Sequence, residues 1–184
     1  MSENVSRTRG TARDRLLAAA RDLFYVNGIN TTGVEALATA AGVTKATLYN
    51  NFRSKDEVVV AYLREKLSAT KAALDAHDDP SAPPPERVAV VFDSLAADID
   101  AGRFQGCPFA KAAVEVPANT AAMTVVREHH DTVVGHLTGI TADPRAAETI
   151  TMLYDGAIVA AKATGDVAPV VHARDAALDL LPRR

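Results

Sequence analysis

The residues best suited to chemistry lie close together in one short run. Lys45-Ala46-Thr47-Leu48-Tyr49-Asn50 places a cation, a hydroxyl, a phenol and a carboxamide within two helical turns. Short donors of this kind, with one cation and one aromatic hydroxyl, suit phosphate oxygens and base edges. Other reactive types are sparse. The single cysteine, Cys107, reads either as a reversibly oxidised thiolate or as a small buried hydrophobe before Pro108. His129 and His136 are seven apart and share a helical face, and His130 falls on an apolar stripe. No His-x₃-His pair or clustered carboxylate supports a metal site, so no metal and no cofactor is expected. Asp93, Asp98, Lys111 and Glu115 either orient a ligand in an apolar cavity or belong to solvated helix faces. No convergent nucleophile, base and oxyanion donor surrounds Cys107 or the histidines, which argues against an enzyme.

Recognition requires elements that present the polar run. Between Thr11 and Asn27, Leu16, Leu17, Ala20, Leu23 and Phe24 recur at three and four, and Gly28 follows as a stop, which predicts a first helix. Thr32-Gly33-Val34-Glu35 reads as a capping box opening a short helix to Ala41. Gly42-Val43-Thr44 breaks the pattern, and a second short helix covers Lys45 to Asn51. Two short helices joined by a glycine turn make a helix-turn-helix, whose second helix enters the major groove. Ala38 is small so that the second helix can cross it, and Leu37, Val43, Leu48 and Phe52 fill the wedge. Lys45, Ala46, Thr47, Tyr49 and Asn50 are left facing outward, although Tyr49 by pattern alone fits core or surface equally.

A second box, Ser54-Lys55-Asp56-Glu57, opens a long helix from Lys55 to about Ala76. None of the nine prolines precedes residue 80, and His77 to Pro85 is a polar, proline-dense connection. Beyond it, Pro85 starts a helix ended by Gly102, and Arg103 to Pro108 is a loop. A short apolar piece follows from Phe109 to Val116, then a helix through Met123, Val126, His130 and Leu137. Asp143-Pro144 caps a helix that reaches Thr164 before Gly165, and a final one covers Ala168 to Leu181. Nine helices without a strand make the expected fold all-α: a three-helix helix-turn-helix domain over 1–54 and a helical domain over 55–184. The small residues Gly156, Ala157, Ala160, Ala161, Ala173, Ala176 and Ala177, beside Ile150, Leu153, Tyr154, Leu180 and Leu181, allow either a four-helix seam between two copies or packing within one chain.

Composition fits this reading. Alanine supplies 36 of 184 residues and tryptophan is absent, a bias toward helix formers. The net charge of −3 divides into +3 over residues 1–64 and −6 over the rest, so a basic end adjoins an acidic body. One cysteine excludes an internal disulfide framework and suits a reducing compartment. With no long apolar run and no export-type apolar segment near Met1, a cytoplasmic protein without membrane partners is expected.

Over about its first 55 residues the chain resembles the DNA-binding domain of TetR-family transcriptional regulators. The resemblance rests on Leu16-Leu17-Ala-Ala-Ala20-Arg-Asp-Leu-Phe24, then Gly28, Thr32, Val34 and Leu37-Ala38. It continues through Ala41-Gly42-Val43-Thr44-Lys45-Ala46-Thr47-Leu48-Tyr49-Asn50-Asn51-Phe52 and Ser54-Lys55-Asp56-Glu57. Farther on, Gly106-Cys107-Pro108-Phe109-Ala110-Lys111-Ala112-Ala113 is similar to a segment of one subgroup of these repressors, many of which carry asparagine where Lys111 stands.

The resemblance implies a homodimeric repressor on double-stranded operator DNA, released by a small-molecule inducer held in the C-terminal domain. It implies DNA contact by Thr32, Thr44, Lys45, Ala46, Thr47, Tyr49, Asn50 and Lys55. Lys45 and Lys55 are assigned to phosphate, while Thr47, Tyr49 and Asn50 stay open between phosphate and base edge. Thr32 caps the second helix, and Arg7, Arg9 and Arg13 form a candidate basic arm. Candidate ligand residues are Phe92, Phe104, Cys107, Phe109, Glu115, His130 and Tyr154. The dimer is expected through the two C-terminal helices, and the long helix from Lys55 is expected to act as the lever between ligand and DNA. A redox response through Cys107, or a protein-interaction module without an inducer, are the alternatives.

Overall fold

The computed structural model describes residues 10–102 and 104–182. Nine helices and no strand occur among them: α1 (Ala12–Asn27), α2 (Val34–Ala40), α3 (Lys45–Asn51), α4 (Lys55–His77), α5 (Pro84–Asp100), α6 (Pro108–Glu115), α7 (Ala121–Thr141), α8 (Pro144–Thr164) and α9 (Ala168–Asp179). Arg7 and Arg9 lie outside the described residues.

Packing divides the chain into two compact units. One comprises residues 1–67 with 111–126, and the other 68–110 with 127–184. The linear reading at 54/55 did not place residues 111–126 with the N-terminal helices. The reason is polar: the Lys111 ammonium donates to the Tyr25 carbonyl at 2.5 Å, and a Glu115 carboxylate oxygen accepts from the Asn30 amide at 2.6 Å.

In the first unit, α1 begins at a complete capping box, in which the Thr11 hydroxyl accepts from the Asp14 amide and the Asp14 carboxylate from the Thr11 amide. Hydrogen bonding to the carboxyl from the Thr11 side chain, and then from the Thr11 amide, holds the Asp14 carboxyl below its ordinary range. The helix stops at Gly28, whose φ of 91° and ψ of 165° suit glycine alone. A β-carbon there would also lie 2.8 Å from Glu115 Oε1. The core is built by Leu16, Ala20, Phe24, Leu37, Ala38, Leu48, Phe52, Val58, Tyr62 and Leu63, and Phe24 meets Tyr62 edge to face at 5.5 Å. Removing the fully buried Leu48 side chain would cost about 2–5 kcal/mol.

The second unit is a helical core of Val88, Phe92 and Leu95 on α5, Leu137 and Ile140 on α7, Ile150, Ala157, Ile158 and Ala161 on α8, and Val170, Ala173, Ala177 and Leu181 around α9. Asp143 caps α8 and Gly165 ends it in the left-handed conformation, as the sequence indicates. Arg87 grips Asp78 through two hydrogen bonds of 2.7 Å, fastening the proline-rich connection to the start of α5. This guanidinium holds the Asp78 carboxyl below the usual carboxylate range.

The residues named on α8 and α9 divide into a packed set and an exposed set. Ile150, Ala157, Ala161, Ala173, Ala177 and Leu181 are consumed by packing within the chain. Gly156, Ala176 and Leu180 are exposed, and so are Met152 and Val159, each 64% accessible, which the sequence reading did not single out.

Candidate nucleic-acid interface

The turn between α2 and α3 is closed by backbone bonds. Gly42 N–H donates to Thr39 O at 3.1 Å and Val43 N–H to Ala38 O at 3.0 Å, with Gly42 at φ 62°. This is a Schellman ending, and the left-handed residue it requires is why glycine stands at 42. Thr44 then caps α3, its hydroxyl accepting from the Thr47 amide at 3.1 Å and meeting the Thr47 hydroxyl at 2.8 Å. Leu48 and Phe52 turn inward beside Leu37 and Ala38, while Val43 is half-buried.

What α3 leaves outward is Lys45, Ala46, Tyr49 and Asn50, with Thr47 half-buried. Tyr49 is 45% accessible, so the structure places it on the surface and Phe52 in the core. The Lys45 ammonium pairs with Glu35 at 3.0 Å, a partner ten residues away that raises its pKa by hydrogen bond and charge. Lys55, the first residue of α4, is half-buried. Behind it, Ser54 accepts from the Glu57 amide at 3.2 Å. The Glu57 carboxylate reaches back to the Arg53 amide at 2.7 Å, one residue earlier than a standard box.

Thr32 behaves differently from the sequence reading. It does not cap α2: the N-cap is Gly33, which has no side-chain cap, and Thr32 is only 2% exposed. Its hydroxyl donates to Gly28 O at 2.7 Å, because burial makes the nearest free carbonyl a stronger demand than the helix end. The side chain is thereby held inside the first unit.

Arg13, expected in a basic arm, has a structural partner. Its guanidinium donates to Asn51 O at 3.2 Å and lies 4.2 Å from the centre of the Phe52 ring. Arg15 donates through Nε to Ala41 O at 3.1 Å and through Nη1 to Gly10 O at 3.2 Å. Sequence inspection had no signal for either contact beyond two cations near the start of a helix.

In the second unit, four of the proposed ligand residues gather on one core: Phe92 inside it, with Phe104, Cys107 and Tyr154 packed half-buried against it. Tyr154 meets Phe92 edge to face at 5.5 Å, and burial, then the neighbouring Cys107, Asp155 and Asp98, push its phenol pKa upward. A cavity of about 190 Å³ is lined by Ile99, Phe104, Ala161, Lys162 and Gly165. Phe109 is buried and stacked on His129 at 3.7 Å. Burial, with the like charge of His130 second, lowers the His129 pKa to about 4.

Two of the seven depart from that grouping. His130 is exposed, since its neighbour His129 takes the inward position on α7. Glu115 belongs to the first unit and is bound to Asn30, whose carboxamide also donates to Glu115 O at 3.0 Å. Among the described residues no group of three or more His, Cys, Asp or Glu is placed to hold a metal ion, and no helix is long and apolar enough to cross a membrane.

Comparison with known proteins agrees with this geometry. Residues 16–62 match the family model for bacterial regulatory proteins of the tetR family. The transcriptional repressor KstR2 of Mycolicibacterium smegmatis is 33% identical over 67 residues, 36% of this chain and 33% of that protein. The match therefore spans only about a third of that curated relative.

Solved structures extend the likeness to nearly the whole fold. SCO4454, a TetR-family transcriptional regulator from Streptomyces coelicolor, superposes with a TM-score of 0.81 at 30% identity, covering 91% of this chain and 94% of that one. A tetR-type regulator from Streptomyces avermitilis gives 0.79 at 30% identity, covering 91% and 98%. The helix-turn-helix with its glycine turn and a likeness over nine-tenths of the chain converge: the chain belongs to the TetR family of transcriptional regulators.

Proposed function

We propose that this regulator is a homodimeric repressor that binds double-stranded operator DNA through α3 and is released by a small molecule held in its second unit. The observation that carries the reading is the outward face of α3, where Lys45, Tyr49 and Asn50 stand exposed on a scaffold closed behind them by Leu48 and Phe52. Lys45 and Lys55 are assigned to phosphate, and Thr47, Tyr49 and Asn50 to phosphate or base edge. Thr44 contributes by capping α3, Ala46 by allowing close approach, and Thr32 by fixing the backbone before α2. Glu35 occupies Lys45 in the free protein, but a solvent-screened pair of this kind exchanges readily for a phosphate.

A single reading head sees few base pairs, whereas a dimer sees two half-sites about one helical turn apart. Met152, Val159 and Leu180, with Gly156 and Ala176 between them, support α8 and α9 as the seam. The aromatic group around Phe92, Phe104, Cys107 and Tyr154 supports an inducer site, and the name of KstR2 supports repression. Ligand and operator would oppose each other reciprocally, with the continuous α4 as the coupling element. Such a protein works in the cytoplasm, where the DNA is.

The test is a mobility shift with duplex DNA from the region upstream of its own gene, at graded salt. Binding should weaken as salt rises, and Lys45→Ala should lower both affinity and salt slope. Absence of any salt-sensitive shift refutes the proposal.

A further inference from the structure

Two cations in the first turns of α1, Arg13 exposed and Arg15 half-buried, reach the ends of other helices. Residues two apart on a helix point about 200° from one another, so Arg13 and Arg15 flank α1 and reach different neighbours. Arg15 donates to the carbonyl of Ala41, the C-cap of α2, and Arg13 to the carbonyl of Asn51, the last residue of α3, while lying on the Phe52 ring. Each guanidinium thus sits at the negative end of a seven-residue helix and satisfies a carbonyl that the helix itself leaves open. The platform they reach from is itself fixed by the reciprocal Thr11 and Asp14 bonds and by the second Arg15 bond to Gly10 O.

We propose that Arg13 and Arg15 are positioning residues of the reading head, which clamp the C-terminal ends of α3 and α2, and that Arg13 is not a phosphate ligand. The inference rests on the DNA-binding reading above. Base discrimination tolerates only about 0.5 Å of slack in the reading side chains, and a helix of two turns has little internal cooperativity with which to hold that tolerance. Loosening the far end of α3 therefore removes the advantage of the correct sequence before it removes attraction to phosphate. The arginine fork, over the Phe52 ring while donating to Asn51 O, has no lysine equivalent.

The experiment uses the full chain with Arg13→Ala and Arg13→Lys. In the free protein, hydrogen exchange of the amides over residues 48–52 should accelerate about five- to tenfold in Arg13→Ala, while residues 16–24 of α1 stay unchanged. Duplexes are then selected from a randomised pool by the wild-type protein and compared with a scrambled duplex. The ratio of the two affinities should fall about tenfold in Arg13→Ala, with binding to the scrambled duplex and the slope of log K against log salt unchanged, and Arg13→Lys should not restore it.

Three results overturn the assignment: unchanged exchange over residues 48–52, a salt slope shallower by about 0.9 with equal loss on both duplexes, or full rescue by lysine. A wild-type protein that enriches no sequence refutes the DNA-binding reading instead, and the exchange measurement still decides whether Arg13 holds α3.

Discussion

His129 makes the second unit acid-sensitive over a window that can be worked out. Half-buried and stacked on Phe109, its imidazole has its pKa lowered by desolvation to about 4, against an ordinary value of 6.5. The unfolded chain therefore binds a proton between those two values that the folded chain refuses, and stability falls as pH drops through them. Evaluated between pH 7.5 and pH 5, the linkage removes about 2 kcal/mol, which is a large share of a typical 5–15 kcal/mol.

His129→Phe keeps a ring to stack on Phe109 and deletes the titration. Urea unfolding of both proteins at pH 7.5, 6.5, 5.5 and 5.0 should show the wild type losing about 2 kcal/mol more than the variant. Asp155 acts in the opposite sense. Burial raises its carboxyl pKa, so the folded chain takes that proton more readily and gains stability as pH falls through the raised value. Because Asp155 is present in both proteins, it cancels from the comparison to within a few tenths of a kcal/mol. Parallel pH profiles for wild type and variant would refute the argument.

The remaining predictions concern the joints of each unit. Gly42→Ala forces a left-handed alanine into open space and should cost about 1–2 kcal/mol in urea unfolding, with helix content unchanged. Gly28→Ala should cost more, because its β-carbon displaces Glu115 from the Asn30 amide, and adding Glu115→Ala should recover part of the loss in a double-mutant cycle. Asp78→Ala should cost about 1–3 kcal/mol by stranding Arg87. Since the Asp78 carboxyl is held below its ordinary value, its contribution is present above about pH 4 and disappears as pH falls through the folded pKa. Val159→Arg should convert the proposed dimer to monomer in sedimentation while leaving the circular dichroism spectrum intact.

Legibility followed the range of the interaction that decided each feature. The bounds of α3, the Asp143-Pro144 start of α8 and the Gly165 stop are set by residues within four positions of one another, and the sequence indicates all of them. Thr32 shows how a local signal loses. The spacing Thr32 to Glu35 is a valid capping box, yet the same hydroxyl can reach Gly28 O once the chain turns at Gly28, and a buried hydroxyl takes the partner that burial leaves it.

The longer contacts had no local signature at all. Glu115 reaches Asn30 across 85 residues, Arg13 reaches Asn51 across 38, and Lys45 meets Glu35 across ten. Charge alone does not distinguish such partners from solvated residues, which is why the sequence groups Glu115 with the candidate ligand residues and Arg13 with a basic arm. The same limit applies to α8, where period 3.6 correctly places Ala157 and Ala161 on a stripe but cannot say whether the stripe meets α9 or a second copy. Burial separates the two faces: the small residues packed within the chain are those beside Ile150 and Ile158, and the face bearing Met152, Gly156 and Val159 is exposed. The face that sequence periodicity makes most conspicuous is thus the internal one, so the proposed seam on this helix draws on residues that the apolar pattern does not single out.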